Sequence, residues 1–208
     1  MNGDRDLVAV GGSLDPDVVI QAYREGIFPW FDEGQPVLWW SPDPRAVLPF
    51  ERFHVSRRLR RTLQSGRFDV RRDAPFETIM RACAEERADG TWIHDAMIAC
   101  YRELHRRGVA HALGVYEDGE LVGGIYGVAF GGGFAAESMF HRVRDASKVA
   151  LVNLVEHLQA RGFTLLDVQF LTSHLASFGC EEIPRDRYLE RVRAIRDDAV
   201  SFDDETAS

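Results

Sequence analysis

The chain has 208 residues, 45% of them hydrophobic, enough to build a real core in one large domain or in a small domain joined to a larger one. Its formal net charge is −8, and no apolar run approaches the roughly 20 residues of a helical membrane span, so that class is excluded. Three cysteines, Cys83, Cys100 and Cys180, lack CxxC spacing, and the short polar N-terminus carries no signal pattern. Together these indicate reduced thiols, a cytoplasmic protein and no zinc site.

In chain order, Asp15-Pro16 predicts a helix start and Gly26 its stop, with Val19, Ile20 and Tyr23 on the apolar face. Residues 27–49 have little periodicity but carry Phe28, Trp30, Phe31, Trp39 and Trp40. Such rings cost too much to leave in water, so the stretch reads as an ordered loop, with a domain junction within 42–49. A helix is predicted over 56–64, where Arg57 and Arg61 share one face with Arg60 beside them. Pro75 opens another, with Phe76, Ile79, Met80 and Cys83 on one stripe, and residues 94–107 give a third, closed by Gly108. Asp118-Gly119 predicts a hairpin between strands at 110–116 and 121–128. A strand over 134–138, a helix from a cap at Asp145 to Gly162, and a strand over 164–171 follow. The order indicates a mixed α/β (α+β) fold, and residues 197–208 read as a disordered acidic tail.

On the strand 164–171, Asp167 and Gln169 stand two apart and share a face opposite Leu166, Val168 and Phe170. An acid and an amide there can polarise a bound amine or hold a carbonyl in register; alternatively they form the wet face of a sheet. Glu137 follows the small residues Gly131, Gly132, Gly133, Ala135 and Ala136. It can receive a cationic group, or pair with Arg142 or Arg144. The glycines at 123, 124, 127 and 131–133 form neither a Walker A nor a Rossmann fingerprint and read as strand and bulge glycines. The histidines show no metal-ligand spacing, and there is no GxSxG elbow. Charge is segregated: Arg52, Arg57, Arg58, Arg60, Arg61, Arg67, Arg71 and Arg72 face a single nearby acid, Asp69. That block suits a phosphate backbone, with a solvated face as the alternative.

Gly26-Ile27-Phe28-Pro29-Trp30-Phe31 and Leu38-Trp39-Trp40-Ser41-Pro42-Asp43-Pro44-Arg45 resemble segments of the leucyl/phenylalanyl-tRNA–protein transferases. So do Gly90-Thr91-Trp92-Ile93, Leu121-Val122-Gly123-Gly124-Ile125-Tyr126-Gly127-Val128 and Glu137-Ser138-Met139-Phe140. Ala146-Ser147-Lys148, Asp167-Val168-Gln169 and Glu181-Glu182-Ile183-Pro184-Arg185 complete the series, in the family's order, from Leu7 to Tyr188. The segment that family members usually carry before Leu7 is largely absent.

The resemblance implies a small N-terminal domain (1–45) and a catalytic domain (46–196) similar to the GCN5-related acetyltransferase fold. It implies a monomer without cofactor or metal that moves Leu or Phe, less readily Met, from charged tRNA to the N-terminal Arg or Lys of proteins, marking them for N-degron proteolysis. It places Trp30, Trp92, Tyr101, Ile125, Phe134, Leu154 and Leu158 around the donor, the last two where relatives can carry Phe. It sets Arg57, Arg58, Arg60 and Arg61 against the tRNA acceptor stem. On that reading Gln169 holds the attacking amine, Asp167 orients Gln169 and offsets developing positive charge, and Glu137 attracts the cationic acceptor. An acyl-CoA-dependent N-acetyltransferase is the nearest rival, but no Arg/Gln-x-x-Gly-x-Gly/Ala loop precedes Ala146.

Overall fold

The computed structural model describes residues 6–73, 75–85 and 91–203. Readings that rest on residues 1–5, Glu86, Gly90, Asp204 and Glu205 lie outside the described residues. A small antiparallel sheet comes first, of β1 (Leu7–Val10), β2 (Phe28–Pro29) and β3 (Leu38–Trp40), in the order β1-β3-β2. Between β1 and β2 runs α1 (Pro16–Arg24), whose first turn is capped by the Asp15 side chain accepting from the Asp17 N–H. The helix gives way at Gly26, in the left-handed region at φ 75°, where a Cβ would lie 2.8 Å from the Tyr188 ring. The stretch expected as a loop therefore contains strands. With two to four residues each they are too short to show a period. Their indoles are anchored, Trp39 Nε1 donating to the Gly11 carbonyl at 2.9 Å and Trp40 Nε1 to that of Trp30 at 2.7 Å.

The larger sheet has seven strands: β4 (Arg45–Leu48), β5 (Asp69–Arg72), β6 (Ala110–Glu117), β7 (Glu120–Phe130), β8 (Gly133–His141), β9 (Leu165–Gln169) and β10 (Glu181–Ile183). Their order is β10-β4-β9-β8-β7-β6-β5, and every pairing is antiparallel except β8 with β9. Asp118 and Gly119 both take positive φ, 51° and 86°, as the predicted tight hairpin requires. β5 has no counterpart in the sequence reading; it is a four-residue edge strand with three charged residues.

Helices α2 (Arg57–Gln64) and α5 (Ala146–Arg161) cover one face of this sheet, and α1, α3 (Phe76–Glu85) and α4 (Asp95–Arg106) the other. A short α6 (Ser173–Ala176) and α7 (Arg185–Ile195) complete the chain. Because helices lie on both faces, β6 and β7 are buried along most of their length instead of alternating. Gly123 permits the approach of α5: a Cβ there would lie 2.6 Å from the Ala146 Cβ. The α5 crossover makes β8 and β9 parallel neighbours. The fold class is thus mixed α/β with a small N-terminal sheet, as the sequence indicates.

Two expectations are corrected. Asp145 precedes α5 at φ 72°, but its side chain makes no capping bond; it binds Arg58 instead. The segment after 197 is docked as far as Asp203, because Phe202 is 2% exposed and stacks on His111 and Phe134. One aromatic ring among acids supplies enough apolar burial to hold it. The three cysteines are buried thiols outside any disulfide, and burial pushes the Cys100 and Cys180 thiols up to about 12. Among the described residues no helix is long and apolar enough to cross a membrane.

Candidate active site

β8 and β9 pair only from Gly133↔Leu165 to Ala135↔Asp167. Farther along, β8 continues beside β7 while β9 stops at Gln169. Two residues past the last backbone pair, a side-chain bond spans the divergence: Gln169 Nε2 donates to Glu137 Oε1 at 2.9 Å. A cavity of about 320 Å³ opens there, its walls including Trp30, Trp92, Ile125, Met139, Leu151 and Phe170, with Glu137 and Gln169 among them as polar groups.

Behind Gln169 lies a buried ion pair. Asp167 is 0% exposed, so its charge requires partners. Arg45 supplies two, Nε to Oδ1 at 2.9 Å and Nη2 to Oδ2 at 2.6 Å. The Tyr188 hydroxyl donates to Oδ2 at 2.9 Å, and the Gln169 backbone N–H to Oδ1 at 3.0 Å. The Arg45 guanidinium sits 4.8 Å from the Phe28 ring centre and 4.5 Å from that of Tyr188, and Nη1 reaches the Gly26 carbonyl. Burial opposes its charge most, but Asp167, Tyr188 and Glu137 together outweigh that and hold the Arg45 pKa above its usual value. Four donors saturate Asp167.

The backbone bends where Asp167 grips it. Gln169 has φ 56°, and the Phe170 N–H donates to the Val168 carbonyl at 2.6 Å, closing a three-residue turn. Strand alternation ends there, so Val168, Gln169 and Phe170 all line the cavity. The reading of Asp167 and Gln169 as a wet sheet face is therefore overturned, as is the assignment of Phe170 to the opposite face. A non-glycine residue in this region costs about 1–2 kcal/mol, offset here by the hydrogen bond to Asp167.

Burial pushes the Glu137 carboxyl up to about 8; a hydrogen bond from Tyr23 opposes the rise and the nearby Asp167 adds to it. The Tyr23 hydroxyl lies 2.5 Å from that of Tyr101. Burial, and then Glu137, hold both phenols well above their ordinary range. Gln169, Glu137, Tyr23 and Tyr101 form one hydrogen-bonded chain. Glu137 is thus not the partner of Arg142, which binds Glu85 and the Leu121 carbonyl.

Of the donor-pocket residues suggested by the resemblance, Trp30, Trp92 and Ile125 line the cavity. Tyr101 stands behind it, through Tyr23. Phe134, Leu154 and Leu158 belong to the core beneath the sheet, at most 1% exposed, and Phe134 packs on Phe163 and Phe202. On α5 it is Leu151 that meets the cavity; Leu154 and Leu158 lie about 4.5 and 10 Å farther along the axis.

On α2, Ser56 caps the helix by accepting from the Leu59 N–H, and buried Leu59 anchors it. Arg57, Arg60 and Arg61 are exposed and, among the described residues, have no carboxylate partner. Arg58 differs, holding Asp145 through two bonds of 2.6 and 3.0 Å. Arg67 pairs with Glu117 and Arg71 with Asp69, so the free basic face is narrower than the sequence block. Asp73, His111 and Asp203 bring metal-ligand atoms together. None lines the cavity, however, and both His111 nitrogens are engaged, by Asp73 and the Gly108 carbonyl.

Local spacing missed Arg45, Tyr23 and Tyr188. Tyr23 reads as one more apolar residue on α1, and Arg45 lies 122 residues from its partner. The available signal was an arginine opening the apolar run Arg45-Ala46-Val47-Leu48, which demands a buried acid elsewhere.

An amide–carboxylate pair, backed by a buried ion pair and set in a largely apolar pocket, has the make-up of a small-molecule site on a protein of this α/β class. Residues 47–193 match the family model for leucyl/phenylalanyl-tRNA protein transferase, and residues 12–43 match that for its N-terminal domain. The leucyl/phenylalanyl-tRNA–protein transferase of Nitrosospira multiformis is 51% identical over 191 residues, 91% of this chain and 82% of that protein. Its Pseudomonas putida counterpart is 54% identical over 181 residues, 86% of this chain and 80% of that protein. The chain belongs to the leucyl/phenylalanyl-tRNA–protein transferase family. It is an aminoacyltransferase that moves an aminoacyl group from tRNA to protein. In fold it is similar to FemX, with a TM-score of 0.52 and 12% identity, covering 73% of this chain and 65% of that one.

Proposed function

We propose that this enzyme transfers Leu or Phe, and less readily Met, from aminoacyl-tRNA to the N-terminal Arg or Lys of acceptor proteins. It acts as a cytoplasmic monomer, and its products enter N-degron proteolysis. The observation that carries this reading is the Gln169–Glu137 pair set in an apolar cavity. Such a cavity accepts a Leu or Phe side chain and rejects a charged one. Residues 1–45 contribute one wall through Trp30, and residues 46–196 the others.

The reaction is aminolysis. The acceptor α-amine attacks the ester carbonyl, a C–N bond forms, the bond to the tRNA 3′-oxygen breaks, and the amine proton passes to that oxygen. The ester is already activated, so positioning and proton removal supply most of what is needed. Gln169 spends an Nε2 hydrogen on Glu137, which leaves its carbonyl oxygen to accept from the amine and aim the lone pair. Glu137 receives the acceptor's positive side chain, whose charge draws its carboxyl toward the ionised form. Asp167 acts through the backbone of Gln169. Arg57, Arg60 and Arg61 face the acceptor-stem phosphates.

The test supplies radiolabelled Leu-tRNA, Asp-tRNA or acetyl-CoA together with peptides beginning in Arg or Ala. The reading predicts label from Leu-tRNA on the Arg peptide alone. Label from acetyl-CoA, or equal labelling of both peptides, contradicts it.

A further inference from the structure

A second cavity adjoins the donor pocket, and His174 lines both. Its other walls include Arg58 from α2, His141 and Arg142 from the end of β8, and Arg144, Ser147 and Lys148 around the start of α5. One acid stands against these cations: Asp145, held by Arg58 at 2.6 Å and by Lys148 at 3.8 Å. Arg142 is occupied by Glu85, but among the described residues Arg144 has no carboxylate partner. Among the described residues the cluster keeps a positive excess, and His174 Nε2 is buried without a hydrogen-bond partner. Burial lowers the His174 pKa, and Lys148 and His141 lower it further, so the positive field extends to the wall shared with the donor pocket.

We infer that this cavity is a phosphate subsite, and that it takes the 5′-phosphate of the terminal nucleoside whose aminoacyl ester occupies the donor pocket. The inference rests on the donor-pocket reading and deepens it. Arg and Lys side chains converging on one concavity suit a phosphate better than a carboxylate, which needs only one fork. Position supports the same occupant. Arg58 reaches the cavity from the helix that turns Arg57, Arg60 and Arg61 outward, so cationic groups run from the basic face to the wall of the pocket. A nucleic-acid end entering along that path would bring its last phosphate to Arg144 and Lys148 while its ester reached Gln169. The site thereby fixes how far the strand enters and sets the ester carbonyl in register.

The experiment measures binding of a hydrolysis-resistant donor, leucine joined by an amide to 3′-amino-3′-deoxyadenosine, with and without a 5′-phosphate, by calorimetry. In the wild-type protein the phosphate should tighten binding about tenfold or more, as even one charge-assisted hydrogen bond would. In Arg144→Ala/Lys148→Ala that gain should vanish while the unphosphorylated compound binds as before. The single variant Arg144→Glu, whose side chain is exposed, should turn the gain into a loss. Equal wild-type binding of the two compounds overturns the subsite and leaves the donor pocket standing. Loss of both compounds in the variants assigns the side chains a structural role and likewise overturns it. Binding of neither compound to the wild type removes the donor-pocket reading, and the subsite with it.

Discussion

At the scale of single residues, the site is backed by a buried charge whose oxygens are met by four donors of the protein itself. Asp167 exists as an anion in the interior only because Arg45 and Tyr188 meet it. Arg45→Met should therefore lower stability in urea unfolding by about 3–5 kcal/mol, the cost of leaving a buried charge unpaired. Arg45→Lys should recover only part of that loss, since an ammonium cannot reproduce the two-pronged grip. Glu137 gives a pH signature. Its carboxyl ionises near 8 in the folded protein, against an ordinary value of 4.5. Between those values the folded state holds more protons than the unfolded one, so this group's contribution to stability falls as pH rises through the window. Glu137→Gln removes that slope. Thermal unfolding should show the variant gaining on wild type from pH 5 to pH 9, and a constant difference would contradict the assignment. Asp167, Gln169 and Glu137 were legible in the sequence because two of them share a local spacing and all three fall in motifs. Arg45 was not, because a buried pair 122 positions apart leaves no trace in spacing.

At the scale of elements, α1 to α5 are legible in the sequence, α6 and α7 have no counterpart in it, and the strands are legible only unevenly. Helix ends carry chemical signals, such as Asp15-Pro16 and Gly26, that survive without tertiary context. Strands of two to four residues, such as β2 and β3, carry none, and the alternation on β9 fails where Gln169 turns out of the extended region. For α2, Arg57→Glu with Arg61→Glu should weaken tRNA binding. It should also flatten the plot of log affinity against log salt by about 2, one unit for each phosphate no longer neutralised. An unchanged slope would move the tRNA face elsewhere. The C-terminal segment offers a different check. Phe202→Ala should cost about 3–5 kcal/mol, as for an aromatic ring removed from a core. A disordered tail would lose nothing.

At the scale of the whole molecule, the pocket exists because the parallel strands β8 and β9 separate after three paired residues. The opening is walled by distant parts of the chain, with Trp30 near its start, Trp92 between α3 and α4, Leu151 on α5 and Phe170 after β9. No pattern of sequence spacing could assemble these. The resemblance named Trp30, Trp92 and Ile125 but could not tell which residues of α5 face inward, since that depends on the phase of the helix against the sheet. Transfer itself should rest on Gln169, whose side chain lines the cavity and whose removal leaves the ion pair behind it intact. The most direct measurement is single-turnover transfer of leucine from Leu-tRNA to an Arg-initiated peptide by Gln169→Ala, with tRNA affinity determined alongside. A transfer rate lowered by about 100-fold or more, at unchanged tRNA affinity, is the predicted result. Transfer at the wild-type rate would contradict the central role given to this amide.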